Sequence, residues 1–132
     1  AGARIIANET EQLFIFPGTH SKHLSVKNGM VTSITTYMTG ELFDLLSSKS
    51  ILSASVKKNE RGDNSPFFIE GVIKGTGSNL TNSIFHVRTN HLFNKITSFE
   101  NYDYLSGLLI GHELKEIARD RLTAITRFAA KG

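Results

Sequence analysis

The order of apolar and polar residues divides the chain into a β-type opening and a helical remainder. Leu13–Phe16 is a continuous apolar run stopped by Pro17-Gly18, the pattern of a buried strand ending in a turn. His23–Val26 alternates, with Leu24 and Val26 set against His23 and Ser25, and Asn28-Gly29 follows. That dipeptide accepts the positive φ angles of a tight hairpin, so Met30–Met38, rich in β-branched residues, returns as a third strand. Three consecutive antiparallel strands joined by two tight turns are predicted.

The period changes after Met38. Leu42, Leu45 and Leu46 recur at helical spacing to about Ser48, with Thr39 as N-cap and Glu41 in the first turn, where negative charge suits the helix dipole. Lys57–Pro66 is polar and punctuated, hence a surface loop. Pro66 stands where a helix starts; Phe67, Ile69, Val72 and Ile73 follow, and Gly75-Thr76-Gly77 closes the segment. Leu80–Ile96 reads as a further helix despite its β-branched content. Tyr102–Asp120 carries the strongest helical pattern, with Leu105, Leu108, Leu109 and Ile110, Leu114, Ile117 three or four apart. Gly107 and Gly111 lie on one face of it and permit close approach of another backbone. Leu122–Ala130 reads as a closing strand, and Ala1–Ala7 as the end of a helix. This order predicts an α/β fold, a mixed sheet with helices packed on it.

Composition narrows the classes. With 132 residues, 39% hydrophobic and 20% charged, the chain is the size of one domain with a packed core rather than a disordered segment. Its 15 Lys+Arg and 12 Asp+Glu are scattered, without the basic stripe that a nucleic acid requires. The absence of cysteine removes disulfides, thiolate metal sites and thiol nucleophiles. No apolar run approaches the roughly 20 residues of a membrane helix, and the N-terminus lacks a signal-peptide pattern. A cytoplasmic protein that binds neither membrane nor nucleic acid is expected. Asn79-Leu80-Thr81 has the form of a glycosylation sequon, read here as chance.

Two stretches carry candidate chemistry. In Pro17–Lys22, "PGTHSK", Gly18 lets the backbone come close to a ligand, Thr19 and Ser21 offer hydroxyls, and Lys22 brings a cation. His20 donates a hydrogen bond there or shapes the turn. These residues alone leave two readings open, a cradle for an anion or a hairpin turn whose polar groups face water. In Thr36–Phe43, "TYMTGELF", Thr39 and Gly40 stand at a strand-to-helix junction whose exposed N–H groups suit an anion or substrate. Glu41 acts there as acid or base, or serves the dipole, and the dipole is the favoured role. His20 and His23 straddle a turn, and His86 and His91 lack an acidic partner, so no metal ligand is assigned. No Walker, dinucleotide-binding or nucleophile-elbow motif is present.

Taken together, "FPGTHSKHLSV", "TYMTGELFDLL" and "YLSGLLIGHEL" resemble successive signature blocks of the 2-dehydro-3-deoxygalactonokinase family in order and approximate spacing. The resemblance runs from about Ala3 to Ala124. It implies one lobe of an actin/hexokinase/Hsp70-like (ribonuclease H-like) ATPase fold, opening with three antiparallel strands followed by packed helices. Residues 1–132 are then a single domain, a fragment covering most of the C-terminal lobe of a two-lobed sugar kinase whose N-terminal lobe is missing.

The parent enzyme implied is an ATP- and Mg²⁺-dependent kinase that converts 2-dehydro-3-deoxy-galactonate to its 6-phosphate in galactonate catabolism. Gly18, Thr19, His20, Ser21 and Lys22 are its implied nucleotide-phosphate turn, and Thr39, Gly40 and Glu41 its substrate or phosphate junction. The catalytic base is expected upstream of this chain, and the chain alone is expected to be inactive. The competing expectation is a non-enzymatic interaction module that keeps the lobe fold and dimerises through an exposed face. Two positions depart from the family pattern: His23 stands where relatives often carry a bulky aromatic, and His112 where a small residue is usual.

Overall fold

The computed structural model describes residues 10–60 and 65–129. Three strands, β1 (Gln12–Phe16), β2 (Ser21–Lys27) and β3 (Met30–Tyr37), are followed by helices α1 (Thr39–Lys49), α2 (Pro66–Gly77), α3 (Leu80–Leu92) and α4 (Ser98–Ala129), with a short 3-10 helix at Ile51–Ser55. Two compact units are distinguished, Ala1–Leu42 and Phe43–Gly132.

The first unit is the predicted antiparallel meander, ordered β1-β2-β3. The β2–β3 turn has φ of 53° at Asn28 and 75° at Gly29, the left-handed pair that a two-residue hairpin demands. Between Ser25 and Val26 the register shifts, and the Thr32 hydroxyl donates to the Ser25 carbonyl there. On the central strand β2, alternation places Ser21 and His23 on one face and Val26 on the other, and all three are buried. The polar side of the sequence alternation is thus not a solvent face. The His23 ring packs tilted against Tyr37, with ring centroids 4.6 Å apart and planes 45° apart. On β3, Met30, Val31 and Ile34 remain exposed.

In the second unit, α2 and α4 approach backbone to backbone. A Cβ on Gly71 or Gly75 would overlap the carbonyl of Tyr104 or Leu108; one on Gly107 or Gly111 would overlap that of Phe68 or Val72. Each helix therefore contributes two glycines four residues apart, one turn above the other, and the rising pairs show that the helices run in the same direction. The close approach expected at Gly107 and Gly111 is realised, and its partner face is Gly71 and Gly75.

Local caps set the helix starts. Ser65 accepts from the Phe67 N–H with Pro66 at the first position, as the sequence indicated. Asn79 caps α3, its Oδ1 accepting from the Asn82 N–H and the Thr81 hydroxyl, which gives the sequon-like triplet a structural purpose. Helix α4 begins at Ser98 rather than Tyr102 because Thr97 and Glu100 form a reciprocal capping box, each side chain accepting from the other's backbone N–H. Buried Leu105, Leu108 and Leu109 lie on its inner face. Asn101, fully buried, donates to the carbonyls of Ser55 (3.0 Å) and Val87 (2.7 Å), tying the 3-10 helix and α3 to α4.

Four expectations are corrected. Leu122–Ala129 is not a strand but the last part of α4, because no glycine or proline interrupts the chain between Gly111 and Ala129. Without that strand, the sheet of the described residues is antiparallel and not mixed. Helix α3 ends at Leu92, where Phe93 caps it and Asn94 takes a φ of 50°, short of Ile96. Thr39 is the first helical residue and not the N-cap, since the Met38 carbonyl already accepts from the Leu42 N–H. The reading of Ala1–Ala7, and Ala130 of the strand reading, lie outside the described residues.

Candidate functional site

The pairing of Phe16 with Lys22 confines the link between β1 and β2 to a short turn in which Gly18, Thr19 and His20 are exposed. The chain returns to this turn at the start of α1. Helix initiation leaves the first N–H groups without intrahelical partners, and here the Glu41 N–H donates to the Thr19 carbonyl at 3.0 Å. That contact demands a close approach, which Gly40 permits. A Cβ at Gly40 would stand 2.5 Å from the Gly18 oxygen and 2.8 Å from the Thr19 Cα. The Gly-Glu of "MTGE" is explained by this docking: the glycine admits the turn, and the next residue bonds it.

A side-chain contact accompanies the backbone one. Nε2 of His20 lies 2.5 Å from Oε2 of Glu41, with the two side chains 50% and 40% exposed. A contact so open to water is worth about 0–1 kcal/mol, so its consequence is geometric rather than energetic. Glu41 therefore does more than complement the helix dipole; it holds the histidine ring from the opposite element. The spacing of 21 residues gave no signal of this in the sequence.

Lys22 is exposed at the first β1–β2 pair, and its Nζ lies 3.4 Å from the His20 carbonyl, so the ammonium stays on the turn. Ser21 is buried, and its hydroxyl is not offered to solvent. Gly18 is exposed, and space is open where its side chain would stand. Of the predicted residues, the structure thus gathers Gly18, Thr19, His20, Lys22, Gly40 and Glu41 on one turn and one helix start. Thr39 opens the helix beside them, and Ser21 lies beneath the surface. The N–H of Glu41 is occupied by Thr19.

Chemically, this surface combines the Lys22 ammonium, the His20 imidazole and the exposed Thr19, groups suited to an oxyanion, with the Glu41 carboxylate held against the ring. Among the described residues, no cluster of three or more His, Cys, Asp or Glu side chains could hold a metal ion, and no helix is long and apolar enough to cross a membrane. The open cleft between Thr76–Asn79 and Lys115–Arg119 contains none of the predicted site residues. On α4, His112 has its pKa lowered, first by burial and then by Lys115, against a hydrogen bond to the Gly75 backbone.

Comparison with known proteins agrees with the three sequence blocks. A sequence model described as 2-keto-3-deoxy-galactonokinase matches residues 1–131. The 2-dehydro-3-deoxygalactonokinase of Escherichia coli (strain K12) is 32% identical over 114 residues, which cover 86% of this chain and 38% of that protein. A Rhizobium meliloti (strain 1021) protein named "Probable 2-dehydro-3-deoxygalactonokinase DgoK1" is 32% identical over 116 residues, with the same coverages of 86% and 38%. A crystal structure of a "putative 2-dehydro-3-deoxygalactonokinase protein" from Sinorhizobium meliloti superposes with a TM-score of 0.73 at 32% identity, covering 83% of this chain and 37% of that one. The chain thus spans about 38% of the length of the curated relatives it matches.

Proposed function

The chain belongs to the 2-keto-3-deoxy-galactonokinase family, and on that premise we propose that it covers most of the C-terminal lobe of a two-lobed, actin/hexokinase/Hsp70-like sugar-acid kinase. The reaction is ATP-dependent phosphorylation of 2-dehydro-3-deoxy-galactonate to its 6-phosphate. The sugar hydroxyl oxygen bonds to the γ-phosphorus, the bond from that phosphorus to the β,γ-bridging oxygen breaks, ADP leaves, and the hydroxyl proton passes to a base. No residue of this chain is assigned as that base.

The observation that carries this reading is the docking of the turn on α1 through Gly40 and the Glu41 N–H. Phosphoryl transfer depends on positioning and charge stabilisation, which a turn held from a second element can supply. In the proposed complex, Gly18 lets a phosphate oxygen reach the backbone, Thr19 and Lys22 donate to it, and Thr39 and Gly40 border the site. Mg²⁺ would neutralise phosphate charge; no ligand for it is assigned in this chain.

The turn is tested by Lys22→Ala with ATP binding followed by calorimetry. A charge-assisted hydrogen bond contributes about 1.5–3 kcal/mol, so affinity should fall about tenfold to a hundredfold; unchanged affinity would remove Lys22 from the site. One lobe supplies half of a catalytic cleft, so the 132-residue chain alone should show no ATP-dependent phosphorylation of the sugar acid. Measurable transfer by it would overturn the half-cleft reading.

A further inference from the structure

A hydrogen-bonded contact as exposed as His20–Glu41 adds little to folding, and its geometry needs another explanation. Imidazole has two nitrogens with separate duties. Nε2 faces the Glu41 carboxylate, which only accepts, so that nitrogen carries a hydrogen. Nδ1 is then the remaining polar atom of an exposed ring on the turn. In the neutral ring Nδ1 is a lone pair that repels an anion, and in the charged ring it is a second N–H donor.

We propose that phosphate binding at this turn is coupled to uptake of one proton at His20 Nδ1, with Glu41 as the positioning residue that holds the ring by Nε2. The bound imidazolium then bridges two anions, the Glu41 carboxylate and a phosphate oxygen, and no covalent bond changes. This rests on the phosphate reading of the turn. Glu41 is suited to the task because it grips the turn twice, by its N–H on the Thr19 carbonyl and by its side chain on the ring. Among the described residues, the Glu41 carboxylate from α1 faces the ring, and the Lys22 ammonium from β2 lies on the His20 carbonyl. A bound phosphate meets the lysine and the protonated ring together.

The test is an NMR titration of this chain with inorganic pyrophosphate at about pH 6 and about pH 8, on either side of ordinary histidine titration. It follows the Gly18 and Thr19 amides and the His20 ring nitrogens in wild type, His20→Asn and Glu41→Gln. The probe's own titration cancels between variants. One charge-assisted hydrogen bond predicts that wild-type affinity falls about tenfold more than that of His20→Asn between the two pH values. At saturation the wild-type Nδ1 resonance should move to its protonated position. Glu41→Gln, which keeps the backbone contact, should lose most of the extra pH dependence. Equal pH dependence in wild type and His20→Asn, with the amides still responding, refutes the role of His20 and leaves the turn intact. Wild-type pH dependence in Glu41→Gln removes Glu41. No amide response at either pH refutes the phosphate turn itself.

Discussion

Replacing Gly40 with alanine sets two effects of similar size against each other. The added Cβ would stand 2.5 Å from the Gly18 oxygen, 2.8 Å from the Thr19 Cα and 3.0 Å from the Gly18 carbonyl carbon. All three are backbone atoms, so no side-chain rotation relieves the overlap and the turn must lift from α1. Helix propensity alone favours alanine over glycine by up to about 1 kcal/mol. Overpacking costs about 1–3 kcal/mol, and lifting the turn also removes the Glu41 N–H to Thr19 hydrogen bond, about 0.5–1.5 kcal/mol. A net loss of about 0.5–3.5 kcal/mol is expected, because the steric and hydrogen-bond terms together exceed the propensity gain. Urea unfolding measures the stability, and amide hydrogen exchange at Glu41 reports whether the turn has lifted. Gly18→Ala is the companion, since nothing lies within 4 Å of its added Cβ. It should fold normally while weakening phosphate binding. A Gly40→Ala variant as stable as wild type, with Glu41 exchange unchanged, would refute the docking argument.

Three further outcomes follow from the second unit. Gly107→Ala would drive a Cβ into the Phe68 carbonyl, so a loss of about 1–3 kcal/mol is expected in urea unfolding, against the helix-propensity trend. Asn101→Ala removes both hydrogen bonds to the Ser55 and Val87 carbonyls from a fully buried position; the unsatisfied groups should cost about 2–4 kcal/mol, read as a lowered denaturation midpoint. The pKa of His112 is lowered by burial and by Lys115, so below the ordinary value of 6.5 the unfolded chain binds the proton first. Its contribution to stability is present above that value and is lost as pH falls through the lowered folded value. Thermal unfolding at stepped pH should show a steeper acid-side decline for wild type than for His112→Gln.

Elements governed by neighbouring residues were legible along the chain. Asn28-Gly29 gave its hairpin because the two positive φ angles are a property of that dipeptide. Pro66 gave the start of α2, and the small residues at 107 and 111 announced a close partner. The start of α4 was legible too, in Thr97 and Glu100, although the apolar period at Tyr102 drew the boundary inward. The closing strand failed for the opposite reason, since a short run read by itself does not outweigh continuation through Ala129 of a helix with no breaker. His23 read as a polar position on a half-exposed strand, yet the central place of β2 buries it against Tyr37.

At the candidate site, the sequence by itself supplied the residue types, the turn between β1 and β2, and the helix that begins at Thr39. These depend on local sterics, alternation and family pattern, all of which are written in consecutive residues. The tertiary structure alone decided that Gly40 seats the Gly18–Thr19 peptide, that the Glu41 N–H is occupied, and that Glu41 reaches His20 across 21 positions. It also decided that Ser21 is buried while Lys22 is exposed. Such pairings arise from the path by which a hairpin returns to a helix start, and no local conformational preference encodes the distance between them.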